Sequence, residues 1–379
     1  MKKLTLILLC SLMFAGQRAW SRVTLPTHFT SNMVLQQKTT LNIHGTARPG
    51  SQVTLVTGWN KKGVSAQASP TDGKFTLTIQ TPKGGQKPYT MTFSDGEETT
   101  LENVLIGEVW LGSGQSNMEM PLKGWGKVLN YEEEIANAKY PMIRLLQVKK
   151  RTNVKPQEQV ELTMDGWQEC SPQTVENFSA LCYFYALRLW EELKIPVGVI
   201  DDDWGGTPVE AWTRAEALQY VTGFEEQAGK MISSGYSPEA MTAYYESIPQ
   251  EKRNRNHDVN YYKHATGLFN AMIHPLIEFP VRGIIWYQGC DNVGRAAQYQ
   301  AAFQTMITDW RKCWNNPTMP FYFVQLANFL QPSDLQPDSQ WALLRESQAD
   351  ALCLPNTGMV TNIDLGDAQD IHPKTKREV

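Results

Sequence analysis

From Arg22 to about Val104 apolar and polar positions alternate in short runs, among them Thr40-Leu-Asn-Ile-His44, Gln52-Val-Thr-Leu-Val56 and Lys74-Phe-Thr-Leu-Thr-Ile79. A period of two sends successive side chains to opposite faces of a strand, and Arg48-Pro49-Gly50, Thr71-Asp72-Gly73 and Lys83-Gly84-Gly85 supply the turns between runs. The pattern predicts an antiparallel β-sandwich over residues 22–104. Beyond Val104 the period changes. Apolar runs at Leu105–Leu111, Ile143–Val148, Pro196–Ile200, Gly283–Tyr287, Phe321–Leu326 and Gly358–Ile363 read as strands buried on both faces. Leu181–Leu193 and Ala301–Trp310 read as helices between them, the second placing Phe303, Met306, Ile307 and Trp310 on one face. Strands alternating with helices predict an α/β fold over 105–379, a parallel sheet flanked by helices. The polar stretch 220–262, with Gly235, Pro238 and Pro249, fits neither period and reads as an insertion with helical pieces.

At 379 residues the chain has room for two domains. Residues 1–21 differ from both: Lys2 and Lys3, an apolar run Leu4–Phe14, then Ala19-Trp20-Ser21 form the pattern of a cleaved secretory signal peptide. The run is about half the roughly 20 residues that a spanning helix needs, so the expectation is export to the periplasm or outside the cell, with no membrane anchor after cleavage. Cleavage also removes Lys2, Lys3 and Arg18 and takes the formal charge from −4 to −7. A mildly acidic chain with no basic run argues against nucleic acid as a partner. Five cysteines would remain, Cys170, Cys182, Cys290, Cys313 and Cys353, and none forms a CxxC pair of the kind used for zinc or redox work.

In a parallel sheet ligands bind beyond the carboxyl ends of the strands. Four strands end on chemistry: the first on Gly112-Ser-Gly-Gln-Ser116-Asn117, the third on Trp204-Gly-Gly-Thr207, the fourth on Gln288-Gly-Cys-Asp-Asn292, and the last on Asp364-Leu-Gly-Asp-Ala-Gln-Asp-Ile-His372. Brought to one sheet edge they supply what acyl transfer needs. Ser116 is a nucleophile on a tight turn, His372 a base, Asp370 the group that orients the imidazole, and a glycine N–H with a side-chain amide an oxyanion site. Each piece also has a plain reading, with Ser116 in an ordinary turn, Gly205-Gly206 as a strand-to-helix turn, Gln288 and Asn292 as buried amides, and His372 as a loop residue. Occurrence after four strands of one sheet favours the catalytic reading.

The run Gly107-Glu-Val-Trp-Leu-Gly-Ser-Gly-Gln-Ser-Asn-Met-Glu119 resembles the nucleophile block of the sialate O-acetylesterase family, a branch of the SGNH (GDSL-like) carbohydrate esterases. Trp204-Gly-Gly-Thr-Pro-Val-Glu-Ala-Trp212, Ile285-Trp-Tyr-Gln-Gly289, Trp341-Ala-Leu-Leu-Arg-Glu-Ser-Gln348, Asp370-Ile-His-Pro373 and Asn32-Met-Val-Leu-Gln36 extend the likeness to nearly all of the chain after residue 21. The resemblance implies an SGNH-like fold, Ser116, His372 and Asp370 as nucleophile, base and partner, and an oxyanion site made by Gly205 or Gly206 with Gln288 or Asn292. It implies no metal or organic cofactor, and an O-acetylated sugar or glycan as substrate, sialic acid foremost. The same blocks fit an esterase of acetylated xylan, and a decayed carbohydrate-binding protein is a third reading. Trp125, Trp204 and Trp212 stand near the blocks, where a sugar face could stack. Two departures stand out: Cys290 replaces the family's usual glutamate, and a final helix is expected after the Asp-Ile-His-Pro loop, so the domain is expected to lack its C-terminal end. Many SGNH enzymes carry the acid three places before the histidine, which here is Gln369, so Asp367 and Asp364 remain open beside Asp370.

Overall fold

The computed structural model describes residues 22–332 and 339–379, so the expected leader over 1–21 lies outside the described residues. The first part of the chain forms β1 (Val34–Gln36), β2 (Thr40–Thr46), β3 (Gln52–Thr57), β4 (Asn60–Gln67), β5 (Lys74–Gln80), β6 (Gly85–Ser94) and β7 (Glu98–Gly114). The alternating runs behave as their period demands, with Leu41 and Ile43, Val53 and Leu55, and Phe75, Leu77 and Ile79 buried while their neighbours face outward. β2 pairs with β5 in a separate antiparallel sheet, and β4, β3 and β6 run antiparallel onto the first half of β7.

The 17-residue strand β7 crosses the boundary expected between residues 104 and 105. Its first half pairs with β6 through Ile106, and its second half, from Glu108, pairs in parallel with β10. From Val104 onward its residues are buried on both faces, so the period of two vanishes from the sequence although the strand continues.

The rest of the chain is mixed α/β. It contains α1 (Ser116–Glu119), α2 (Tyr131–Asn137), β8 (Tyr140–Gln147), β9 (Gln168–Cys170), α3 (Pro172–Val175), α4 (Ala180–Leu193), β10 (Val197–Asp203), α5 (Ala215–Leu218), α6 (Glu225–Ser233) and α7 (Pro238–Ser247). Next come β11 (Gly283–Tyr287), α8 (Ala296–Cys313), β12 (Phe321–Val324), α9 (Gln340–Ala349) and β13 (Thr357–Val360). The sheet order is β13-β12-β11-β7-β10-β8-β9, parallel except for β9 at one edge. The stretch 220–262 carries the helices α6 and α7. Among the described residues no helix is long and apolar enough to cross a membrane, and the five cysteines are free thiols.

β10 ends on three buried aspartates. Asp201 and Asp203 share one face of the sheet, and Asp202 points to the other, beside its register partner Ser113 on β7. Neither carboxyl oxygen of Asp202 has a partner among the described residues. Burial first, then the nearby charge of Asp201, holds its carboxyl well above the ordinary range, so it is neutral in the folded protein.

A carboxyl neutral when folded and ionised when unfolded contributes stability at low pH that is lost as pH rises above its unfolded value of about 3.9. We therefore expect Asp202→Asn, which cannot ionise, to gain thermal stability relative to the natural protein between about pH 5 and about pH 8. Melting curves at the two pH values test this; a difference that does not move with pH contradicts a neutral Asp202.

Candidate active site

The site forms where β7, flanked by β10 and β11, reaches its carboxyl end. Gly114 has φ +141°, and a Cβ there would lie 2.2 Å from the Tyr287 carbonyl oxygen on β11, so the strand can turn this close to its neighbour only as glycine. The turn is locked by Gln115, whose buried Oε1 accepts from the N–H of Gly289 at 2.9 Å and of Asp291 at 3.4 Å. One turn of helix, α1, then presents Ser116.

Ser116 Oγ lies 2.9 Å from His372 Nε2, although 256 residues separate the two in sequence. On the far side of the ring, Nδ1 is 3.4 Å from Asp370 Oδ1, which also accepts the His372 backbone N–H at 2.9 Å. With the Nδ1 proton facing the carboxylate, Nε2 is left to accept from the serine. Asp370 is thus the aspartate that reaches the imidazole. Asp367 instead accepts from the Gln369 N–H at 2.7 Å, shaping the loop. Trp125 packs edge-on against the imidazole, ring centroids 5.0 Å apart, while remaining half exposed.

The oxyanion assignment needs correction. The Gly205 N–H is occupied, donating to Glu119 Oε2 at 2.5 Å. Its role is close approach: a Cβ on Gly205 would come within 3.2 Å of Ser116 Cβ and 2.9 Å of Glu119 Oε2. Gln288 is fully buried and spends its amide on the Thr207 carbonyl, at 3.0 Å, and on Asn292 Oδ1, at 2.7 Å. Asn292 Oδ1 also accepts from the Val209 N–H, and its Nδ2 donates to Glu210 Oε2 at 3.0 Å. Both amides are interior cross-links between the loops after β10 and β11, the plain reading of these residues. Gly206, in the left-handed region at φ +72°, follows Gly205 directly and faces Tyr262 and Lys263, and among the described residues neither its N–H nor that of Ser116 has an acceptor. Trp212 is likewise core, fully buried with Nε1 on Thr207 Oγ1, whereas Trp204 is partly exposed and stacks on Tyr262 at 5.0 Å.

A cleft of about 480 Å³ opens beside the serine turn, lined by Glu119, Trp125, Lys149, Lys150, Asp201 and Asp203 among others. Asp201 and Asp203 sit in its floor, where burial raises both carboxyls. Lys150 caps Glu119 at 2.6 Å, and Lys149 and Arg151 share Glu161.

A family model described as "Carbohydrate esterase, sialic acid-specific acetylesterase" matches residues 248–379. The sialate O-acetylesterases of Homo sapiens and Rattus norvegicus are each 27% identical to the chain, covering 97% and 93% of it and 71% and 70% of their own lengths. The crystal structure of a carbohydrate acetylesterase from Xanthomonas citri is 33% identical, superposes with a TM-score of 0.78, and covers 94% of this chain and 72% of that one. The chain belongs to the sialate O-acetylesterase family. It is therefore a carboxylic ester hydrolase whose substrate class is the acetylated carbohydrates.

Within this esterase several working residues escape a reading of the sequence although they lie in its motifs. Gln115, Asn117 and Glu119 flank Ser116, and each anchors a different loop: Gln115 the loop after β11, Asn117 the histidine loop through the Ile371 carbonyl at 3.0 Å, and Glu119 the glycine turn after β10. Gln348, from the fourth matching block, donates to the Gln288 carbonyl and accepts from the Leu326 N–H. Cys290, where the family usually carries glutamate, does not face a free amide, because Gln288 is already held. Burial pushes its thiol up to about 12, and the largest charge acting on it is the buried Lys376.

Burial outweighs the pull of Asp370 and holds His372 below its ordinary value of 6.5, with Lys376 acting in the same direction. With His372 as the expected base, which works only as neutral imidazole, the acid limb of kcat/KM should fall below pH 6.5. A pH–rate profile checks this, and a limb above that value would mean that Asp370 dominates instead.

Proposed function

We propose that the chain is a serine esterase that removes O-acetyl groups from sialic acid through an acetyl-enzyme on Ser116. The observation that carries the reading is the 2.9 Å contact between Ser116 Oγ and His372 Nε2. Ser116 Oγ attacks the acetyl carbonyl as its proton passes to His372, and Asp370 stabilises the imidazolium. The N–H groups of Ser116 and Gly206 receive the developing oxyanion, each such donor contributing about 3 kcal/mol. The sugar hydroxyl leaves with the proton from His372. Water then attacks the acetyl-serine with His372 again as base, and acetate departs.

The names of the relatives support sialic acid. Lys149, Lys150 and Arg151 line one side of the cleft, paired with Glu119 and Glu161. Trp125 offers a half-exposed ring for the sugar face. In the same reading the parallel sheet is of SGNH type, the strands before Val104 form a β-sandwich domain, and residues 1–21 direct export.

Ser116→Ala should lower turnover on p-nitrophenyl acetate by at least about a thousandfold with the fold intact. Acetate release should be faster from an O-acetylated sialoglycoprotein such as submaxillary mucin than from acetylated xylan. A fully active, folded Ser116→Ala protein removes the nucleophile assignment, and preference for xylan removes the sugar.

A further inference from the structure

Lys376 is a lysine with almost no exposed surface, at 1% of its accessible area, and among the described residues it has no carboxylate within ion-pair distance. Its ammonium makes one hydrogen bond, to Asn117 Oδ1 at 2.6 Å, and sits 5.4 Å from the centre of the Tyr287 ring. Burying a cation with so little compensation is costly. A lysine kept there calls for a reason.

The second half of the contact supplies it. Asn117 Nδ2 donates to the Ile371 carbonyl at 3.0 Å. A lysine can only donate and a carbonyl oxygen can only accept, so the two partners fix the orientation of the Asn117 carboxamide without ambiguity. Asn117 comes directly after Ser116 in the chain and Ile371 directly before His372. The relay Lys376–Asn117–Ile371 therefore spans the same gap as the serine–histidine contact, one residue to the side, and joins a strand-end turn to a loop that shares no sheet hydrogen bonds with it.

We propose that Lys376 is a positioning residue of the esterase: by holding Asn117 in one amide orientation it fixes the Ile371 carbonyl and so the distance between His372 and Ser116. This rests on Ser116 and His372 being the reacting pair. Without Lys376 the carboxamide is free to flip and present its oxygen to the Ile371 carbonyl, the contact turns repulsive, and the histidine loop moves off the serine. Displacements of this order cost a large factor in rate without touching substrate binding.

The test compares Lys376→Met, Asn117→Ala, the double variant and Ser116→Ala on p-nitrophenyl acetate, with melting curves as folding controls. Methionine suits the apolar surroundings, so Lys376→Met should fold. We expect each single variant to lose roughly tenfold to a hundredfold in kcat with KM nearly unchanged, and the double variant to be no slower than the worse single, because both break one relay. A second readout separates positioning from general damage. The charges that act on His372 are Asp370 on its own loop, Lys376, and Glu119 on α1. Lys376 itself is brought down to about 7 by burial, against the pull of Cys290 and Asp370. Lys376→Met removes a neighbouring cation, so the acid limb should move to higher pH; Asn117→Ala leaves that cation, so its limb should stay. Full kcat in Lys376→Met, or losses that multiply in the double variant, would overturn the relay while Ser116→Ala, if inactive, upholds the nucleophile. An active Ser116→Ala would overturn both.

Discussion

A single turn of helix, Ser116–Glu119, carries the organisation of this esterase. It continues a strand that can turn beside β11 only because residue 114 is glycine, and the polar side chains from Gln115 to Glu119 reach three different loops. Gln115 holds the loop after β11, Ser116 meets the base, Asn117 ties the histidine loop, and Glu119 draws the glycine turn after β10 against the serine. The loops after β10 and β11 come from the two neighbours of β7, the histidine loop follows the edge strand β13, and all are far apart in sequence. Their mutual placement is set less by the loops' own structure than by these five consecutive residues, which makes the spacing of the motif a geometric requirement.

The electrostatics around that turn are unusual for a protein interior. Asp201, Asp202 and Asp203 close the central strand β10, all buried, and Lys376 lies buried beneath the histidine loop. Burial opposes charge in every case, raising the acids and lowering the lysine. His372 obeys the same rule, with desolvation winning over its aspartate partner, and this favours a neutral imidazole next to the Ser116 hydroxyl.

Much of this is legible in the sequence. The period of two before Val104 and the buried apolar runs after it locate β2, β3, β5 and the six parallel strands β7, β8, β10, β11, β12 and β13, but not β1, β4, β6 or β9, and the segments after the strands bring Ser116, Gly205 and His372 together. The domain boundary is blurred for a physical reason: β7 is one strand whose surroundings change from half-buried to fully buried midway. Gln288 and Asn292 read from sequence as oxyanion donors because sequence gives a side chain's chemistry but not its partners, and in the fold both are spent on interior contacts. Lys376 leaves no signal beyond standing four residues after the histidine, since a lysine near the surface-seeking end of a loop normally faces water.

The central claim is that Ser116 is the nucleophile of a site assembled by its own helical turn. The most direct measurement is labelling with a p-nitrophenyl phosphonate, which forms a stable covalent adduct with an activated serine, and then digestion and mass spectrometry. The account predicts one adduct, on the peptide that carries Ser116, lost in Ser116→Ala and strongly slowed in His372→Gln. An adduct on another side chain, or labelling undiminished by either substitution, would contradict it.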